Sequence, residues 1–473
     1  MLRFVDADTS RREWLRLGGL GGLAWGLPGL MPSRAAATGS ESHPPGFGRA
    51  KSVIVLFASG GQSQIDTWDP KPHAPAEIRG SFTSIPTKLP GVRFCEHMPR
   101  LAKLADRFTL VRSMSHEDVD HGSAFYLSMT GRYHRRRSAN PPPGPDDSPG
   151  YSSILQRVRP SRSFARTAVH LNGPAHVPNI IAPGQFGGFL GKRYDPFTLG
   201  DVSSGKIVVP GLEPHRDLPP VRAQARRDLL SSIESYAQTL STDRSAMDMN
   251  SLYEQAFAML DRPETRDAFR LTAEPDALRD RYGRHRSGQA CLLARRLVEA
   301  GCPMVTVILN HNNRGQDNTP EDRDAWGWDT HNDIFVGLRD YLLPRFDQTV
   351  STLLQDLEQR GLLEETLVVC MGEFGRAPLV ALEKRFAGSS PGRKHWSRAY
   401  SIMLAGAGVG RGNVVGASDP QGAYPVDDSY GPWDVVATMF SALGIDPAGH
   451  YTNLVGQPFQ ISEGRVITGL YNG

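Results

Sequence analysis

Cysteine is scarce. Four residues in 473, Cys95, Cys291, Cys302 and Cys370, form no CxxC pair, which excludes a disulfide framework for a chain this long. Cys291 and Cys370 lie inside apolar patterns and are expected in the core, while the state of Cys95 is left open. Charge of one sign is also lacking. The formal net charge is +3, and residues 1–37 hold five arginines against three acidic residues, so the remainder is close to neutral. A near-neutral body offers no electrostatic case for nucleic acid or an anionic membrane. Beyond the N-terminus no segment is long and apolar enough to span a membrane. No internal repeat is present. With 39% hydrophobic residues, the chain can bury one large core or two ordinary ones.

The N-terminus carries Ser10-Arg-Arg-Glu-Trp-Leu-Arg16, an apolar Gly-rich run from Leu17 to Met31, and Ser33-Arg-Ala-Ala-Ala37. A charged start, a moderate apolar stretch and a small-residue cleavage site read as an export signal. The paired Arg11 and Arg12 resemble a twin-arginine (Tat) signal, with Trp14 where Phe is usual. As a membrane anchor the run is short and broken by Gly and Pro. Residues 1–37 are therefore expected to be a Tat signal peptide and 38–50 a polar linker. The mature chain would be handled by the Tat machinery and reside in the periplasm or cell envelope without a stable membrane span.

Between Trp326 and Arg376 the pattern is densest. Asp329 and His331 sit two apart in W-G-W-D-T-H. Apolar residues follow at Phe335, Leu338, Leu342, Phe346, Val350, Leu353 and Leu357, which predicts a helix with one buried face, opened at Asn332 or Asp333 and closed at Gly361. Thr366 to Met371 is β-branched, apolar and uncharged, as a buried parallel strand should be. Gly372 ends it and Glu373 follows. Ligands of open α/β sheets bind outside the carboxyl ends of strands, so Asp329, His331 and Glu373 can meet at one edge.

Other strands are predicted at Ser52–Ala58, Arg107–Met114, Ala165–Leu171, Pro303–Leu309 and Tyr400–Ala405, with helices at Pro99–Asp106, Tyr151–Val158 and Pro432–Leu443. The first strand runs into Ser59-Gly-Gly-Gln-Ser-Gln-Ile-Asp66, either a ligand loop or a plain turn. The second ends in Ser115-His116-Glu117-Asp118-Val119-Asp120-His121-Gly122-Ser123. His116, His121 and Asp120 there are ligand types for zinc, manganese or iron. Residues 133–150 read as an exposed loop, 174–210 as a binding loop or lid, and 219–299 as mostly helical. His97, His134, His170, His176 and His215 have no ligand-type neighbour at useful spacing and are read as ordinary.

G-G-Q-S-Q-I-D-T-W-D-P-K, R-S-M-S-H, D-H-G-S, G-G-F-L-G, W-D-T-H, G-E-F-G-R and the H-W at His395 occur here in one order. Together they resemble the domain of unknown function 1501 family, from about Lys51 onward. That resemblance implies the alkaline phosphatase/sulfatase superfamily: an α/β fold, a three-layer α/β/α sandwich with a mostly parallel central sheet, here carrying a loop and helical insertion at about 133–300. It implies a metal-dependent phosphatase or sulfatase site. Asp329 and His331 resemble the Asp and His of one metal site, which His395 would complete. Glu373-Phe374-Gly375 resembles the D-H-G that follows the buried strand, with Phe374 in the ligand's place. Counting back from Thr130-Gly-Arg132 puts His121 at the sulfatase nucleophile position, with Ser123 the nearest hydroxyl. The first-strand Asp of relatives would fall near Ser59 or Gly60, so Asp66 is displaced from it.

Two functions follow. In the first, the chain is an exported hydrolase of phosphate or sulfate esters. Asp329, His331 and His395 hold one divalent ion (zinc, manganese, calcium or iron), and Glu373, His121, Asp120, His116 and Asp66 supply a second site or act on water. Arg376, Arg393 and Lys394 steady the anionic group, and Ser123 is a possible nucleophile. Trp328 and Trp396 are stacking faces for a sulfated glycan, or simply packing walls. In the second function, the chain is a catalytically degenerate envelope protein that binds a sulfated or phosphorylated glycan or a protein partner on the same scaffold.

Overall fold

Six residues of Ser52–Phe57 (β1) are fully buried, and their side chains alternate between two separate apolar cores. Val53, Val55 and Phe57 point into one, and Ile54 and Leu56 into the other. This is the arrangement a strand with no polar face requires: both sides of its sheet are covered. In a computed structural model of the protein, which describes residues 43–204, 207 and 263–472, β1 lies near the middle of an eight-stranded sheet. The expected signal peptide, residues 38–42 of the linker, His215 and much of the 219–299 helical stretch lie outside the described residues.

The remaining sheet strands are Thr109–Met114 (β2), Ala168–Leu171 (β3), Phe197–Leu199 (β4), Met304–Ile308 (β5) and Thr366–Met371 (β6). After a hairpin of Gly375–Ala381 (β7) and Gly392–Trp396 (β8) come Tyr400–Ala405 (β9) and Asn413–Val415 (β10). The sheet order is β10-β2-β9-β6-β1-β5-β3-β4. Seven strands run parallel, and β9 runs against both of its neighbours. Helices cover both faces. His121–Thr130 (α1), Tyr151–Val158 (α2) and Pro432–Ala442 (α5) pack with one core; Arg286–Glu299 (α3) and Leu343–Gln359 (α4) pack with the other. The chain is thus a three-layer α/β/α sandwich, as expected. Among the described residues no helix is long and apolar enough to cross a membrane.

The stretch 133–300 supplies β3, the edge strand β4 and the helix α3. The helix after Asn332 is not uniform. Ile334–Gly337 is α, Leu338–Leu342 is a π turn, and α4 begins at Leu343. Pro344 explains the break, since it has no N–H to donate and its ring crowds the carbonyl one turn earlier. Leu353, Leu354 and Leu357 still bury one face, and truncating any of them to Ala should cost about 2–5 kcal/mol.

Candidate metal centre

Four connections at the carboxyl edge of the sheet deliver the site. β1 ends in Ser59-Gly60-Gly61, and Gly60 has φ +120, where a Cβ would run into the Trp328–Asp329 backbone. Only glycine lets the Trp326–Asn332 loop lie against the end of β1. β2 leads to α1, where Asp120 is the N-cap, accepting from the backbone N–H of His121 at 2.9 Å. β6 ends at Gly372, and Glu373 is completely buried behind it. The β7–β8 hairpin pairs His395 with Arg376.

These connections bring together His121, Asp329, His331 and His395, whose candidate donor atoms all lie within 4.8 Å of one another. Among the described residues it is the one cluster of three or more such side chains. Each imidazole is oriented by an oxygen at Nδ1. His121 Nδ1 is 2.6 Å from Glu373 Oε1, His331 Nδ1 is 3.2 Å from Glu383 Oε1, and His395 Nδ1 is 2.7 Å from the Val119 carbonyl. An ionised carboxylate and a carbonyl only accept, so all three Nδ1 atoms donate, and in the neutral ring each Nε2 then carries the lone pair. Those Nε2 atoms converge on one carboxylate oxygen. Asp329 Oδ1 is 3.2 Å from His121, 3.1 Å from His331 and 3.4 Å from His395. His331 Nε2 and His395 Nε2 are 2.8 Å apart.

Lone pairs aimed at one another and at an anion repel unless a proton or a metal ion lies among them. Donors about 2.0–2.2 Å from a tetrahedral ion are spaced roughly 3.3–3.5 Å apart, near the distances found. His121 Nε2 and Glu373 Oε2 are buried without a hydrogen-bond partner. Nitrogen-rich donors suit zinc or another transition ion, whereas calcium prefers six to eight oxygens. The residues therefore fit a divalent transition ion. The titration behaviour shows the same demand for positive charge. Burial would push the His121 imidazole down, but the Asp329 and Glu373 carboxylates override it and raise it to about 9. Burial and the neighbouring His121 hold His395 down to about 3. Burial would raise the Asp329 carboxyl, but His121 and Arg376 hold it well below the usual carboxylate range.

Other residues singled out in the sequence lie elsewhere. Asp66 takes no part in the cluster; Arg393 grips both its oxygens, at 2.7 and 3.0 Å, and Ser63 Oγ donates to it at 2.6 Å. His116 is not free to ligate. Its Nε2 meets the Glu373 carbonyl at 2.7 Å and its Nδ1 accepts from Asp118 N–H at 3.1 Å. Asp120 caps α1 and accepts from Asn140 at 2.7 Å. Ser123 Oγ is fully buried, donating to Asp118 at 2.6 Å and accepting from Ala139 N–H at 3.1 Å, so its hydroxyl is committed. Arg393 is buried with Asp66 rather than lining the site, and Trp328 packs edge-on to Phe346 in the core. Trp396 is half-buried, donates to the Ala423 carbonyl at 2.6 Å and meets Tyr424 edge-on. Lys394 is exposed. Arg376 does reach the centre, 2.6 Å from Asp329 Oδ1, but is wholly buried.

Glu383 and Phe386 escaped sequence reading. Phe386 stacks on His331 with ring centroids 3.8 Å apart. Asn332 fixes that loop by accepting from Glu383 N–H and donating to its carbonyl, both at 2.9 Å. The one signal was Asn332 beside His331, a side chain able to clamp a backbone.

No curated protein matches the chain. Among solved structures it is similar to a protein of the alkaline phosphatase superfamily from Vibrio parahaemolyticus (10% identity, 90% of this chain and 72% of that one, TM-score 0.42). It is also similar to a phosphonate monoester hydrolase from Silicibacter pomeroyi (13% identity, 89% and 76%, TM-score 0.37). A third is the PsFucS1 sulfatase from Pseudoalteromonas sp. (15% identity, 84% and 68%, TM-score 0.36). A family model described as "Protein of unknown function (DUF1501)" matches residues 50–471, so the chain belongs to the DUF1501 family.

Proposed function

We propose that this protein is a metal-dependent hydrolase of phosphate or sulfate esters, exported by the twin-arginine route to the periplasm or cell envelope. The observation that carries the metal is the convergence of three Nε2 lone pairs on Asp329 Oδ1, with every Nδ1 held by an oxygen. His121, Asp329, His331 and His395 would hold the ion. When bound, such an ion polarises an ester oxygen and lowers the pKa of water. Glu373, Glu383 and the Val119 carbonyl orient the imidazoles. The His395 side chain is 19% exposed while those of the other three donors are at most 4% exposed, so substrate approaches along His395. Lys394 is exposed beside His395 in sequence and would add a cation near an arriving anion. Anionic esters, including those of sulfated glycans, are the substrate class this charge pattern favours.

Two observations favour the second reading. Four protein donors can close a tetrahedral ion, as in structural sites, and Ser123 is committed to Asp118. On that reading the protein binds an anionic glycan or protein partner in the envelope without turnover. Elemental analysis of wild type and His331→Ala, followed by a screen of phosphate and sulfate esters, separates the two. About one equivalent of ion, lost in the variant, together with ester turnover supports the hydrolase. An ion with no turnover supports the binding protein. No ion in either sample overturns the metal reading.

A further inference from the structure

We propose that Arg376 is the built-in second cation of this centre, so that the site takes one divalent ion and not two; this rests on the metal reading above. The guanidinium is wholly buried, and its Nη2 lies 2.6 Å from Asp329 Oδ1, the same oxygen that faces the three imidazoles. It cannot swing away. Nη2 also donates to the Gly60 carbonyl, Nε to the Gly61 carbonyl at 3.1 Å and Nη1 to the Arg393 carbonyl at 3.3 Å. The Arg376 backbone is pinned as well: its N–H donates to Gln64 Oε1 at 3.0 Å and its carbonyl accepts from Gln64 Nε2 at 2.9 Å. The flank of Asp329 Oδ1 through which that oxygen could bridge to another ion is thereby filled by a charge that does not dissociate and that a protein does not deprotonate.

Charge balance leads to the same place. The buried carboxylates nearest the donors are Asp329 and Glu373, and Arg376 offsets one of their two charges. Arg314 approaches Asp329 Oδ2 only to 3.9 Å and is held by Asp317 at 2.6 and 2.8 Å. Glu383 is shared between His331 and Arg385. With the three imidazoles neutral, as ligation requires, one divalent ion turns the inner charge from −1 to +1, which suits an anionic ligand. A second ion would leave +3 in a buried site, a cost that nothing nearby compensates. Arg376 also weakens the first ion's binding through like-charge repulsion, so removing it should strengthen that binding.

The test is calorimetric titration of the full chain, stripped of metal, with Zn²⁺, alongside elemental analysis and circular dichroism. Wild type is expected to bind one equivalent. Folded Arg376→Met is expected to take a second equivalent, or to bind the first at least tenfold more tightly. Arg376→Lys, which keeps a positive charge, is expected to stay at one equivalent and within about threefold of wild-type affinity. Two equivalents in wild type, or a folded Arg376→Met that matches wild type in number and affinity, overturn the proposal and leave the metal centre standing. If Arg376→Met does not fold, the wild-type count and Arg376→Lys decide the matter. Absence of any ion in wild type overturns the metal reading itself, and this proposal with it.

Discussion

Two buried Arg–Asp pairs lie close together around the β7–β8 hairpin, and they do different things. Arg376 with Asp329 and Arg393 with Asp66 are both almost wholly shielded from solvent, and in each the guanidinium is braced by backbone carbonyls. Asp66 is saturated: both its oxygens are taken by Arg393, and Ser63 donates to one of them. Asp329 Oδ1 meets three imidazole nitrogens besides its arginine. A buried ion pair is thus not in itself a site. What marks a site is donor capacity left over after the pair is made. The sequence presents both pairs alike, as an acidic residue and a distant arginine that both lie outside the predicted strands, and the reading of Asp66 as a ligand shows how little the residue types alone discriminate.

The comparison breaks most sharply at His331. His331→Ala should lower metal affinity by on the order of a thousandfold, about one donor's share of a four-donor site. Chelator should lower the melting temperature of wild type and leave this variant unmoved, because only a bound ion stabilises by mass action. Equal melting shifts in both proteins would show that the ion, if any, binds elsewhere. Asp66→Ala is the mirror experiment. It leaves Arg393 buried and uncompensated, so denaturant unfolding should show a loss of about 3–5 kcal/mol. Metal content per folded molecule should be unchanged; a parallel loss of metal would mean that the two pairs are one unit.

Much of the frame was legible in the chain because it rests on local signals. Thr366–Met371 reads as a buried strand and is one, residue for residue, since a strand covered on both faces is almost wholly apolar. Tyr151–Val158 and Tyr400–Ala405 keep their predicted limits. The π turn at Leu338–Leu342 was missed because the apolar spacing survives it; only Pro344 betrays the break. Asp329 and His331 stood out by their short spacing, and His395 by family resemblance. His121 was placed in other roles because its distance from them depends on β2 and β6 being separated by the antiparallel β9, an ordering no local pattern encodes. Glu383 lay hidden for the same reason. It faces His331 only through the clamp made by Asn332.

Glu383 provides a finer test. Glu383→Gln keeps the shape of the side chain and removes the charge that orients His331 Nδ1. Loss of such an outer partner should cost about 10–100-fold in metal affinity. Stability without metal should change by less than about 1 kcal/mol, because the Asn332 clamp binds the Glu383 backbone and not its side chain. A variant that kept wild-type metal affinity would show that Phe386 stacking alone aligns His331.

The smallest effect is expected at Lys394, between two buried or partly buried neighbours that both serve the hairpin. Arg393 is locked to Asp66 and His395 faces Asp329, while Lys394 is exposed. Lys394→Ala should leave stability within about 0.5 kcal/mol of wild type, as surface substitutions generally do, and should not change metal content. If anionic esters arrive along His395, the lost charge should appear as a higher KM at low ionic strength, with kcat unchanged, and the difference should shrink as salt screens it. A KM that ignores both the substitution and the salt would place the entry path elsewhere on the carboxyl edge of the sheet. The contrast between the two arginine–aspartate pairs would then hold for the ion but not for the route by which substrate reaches it.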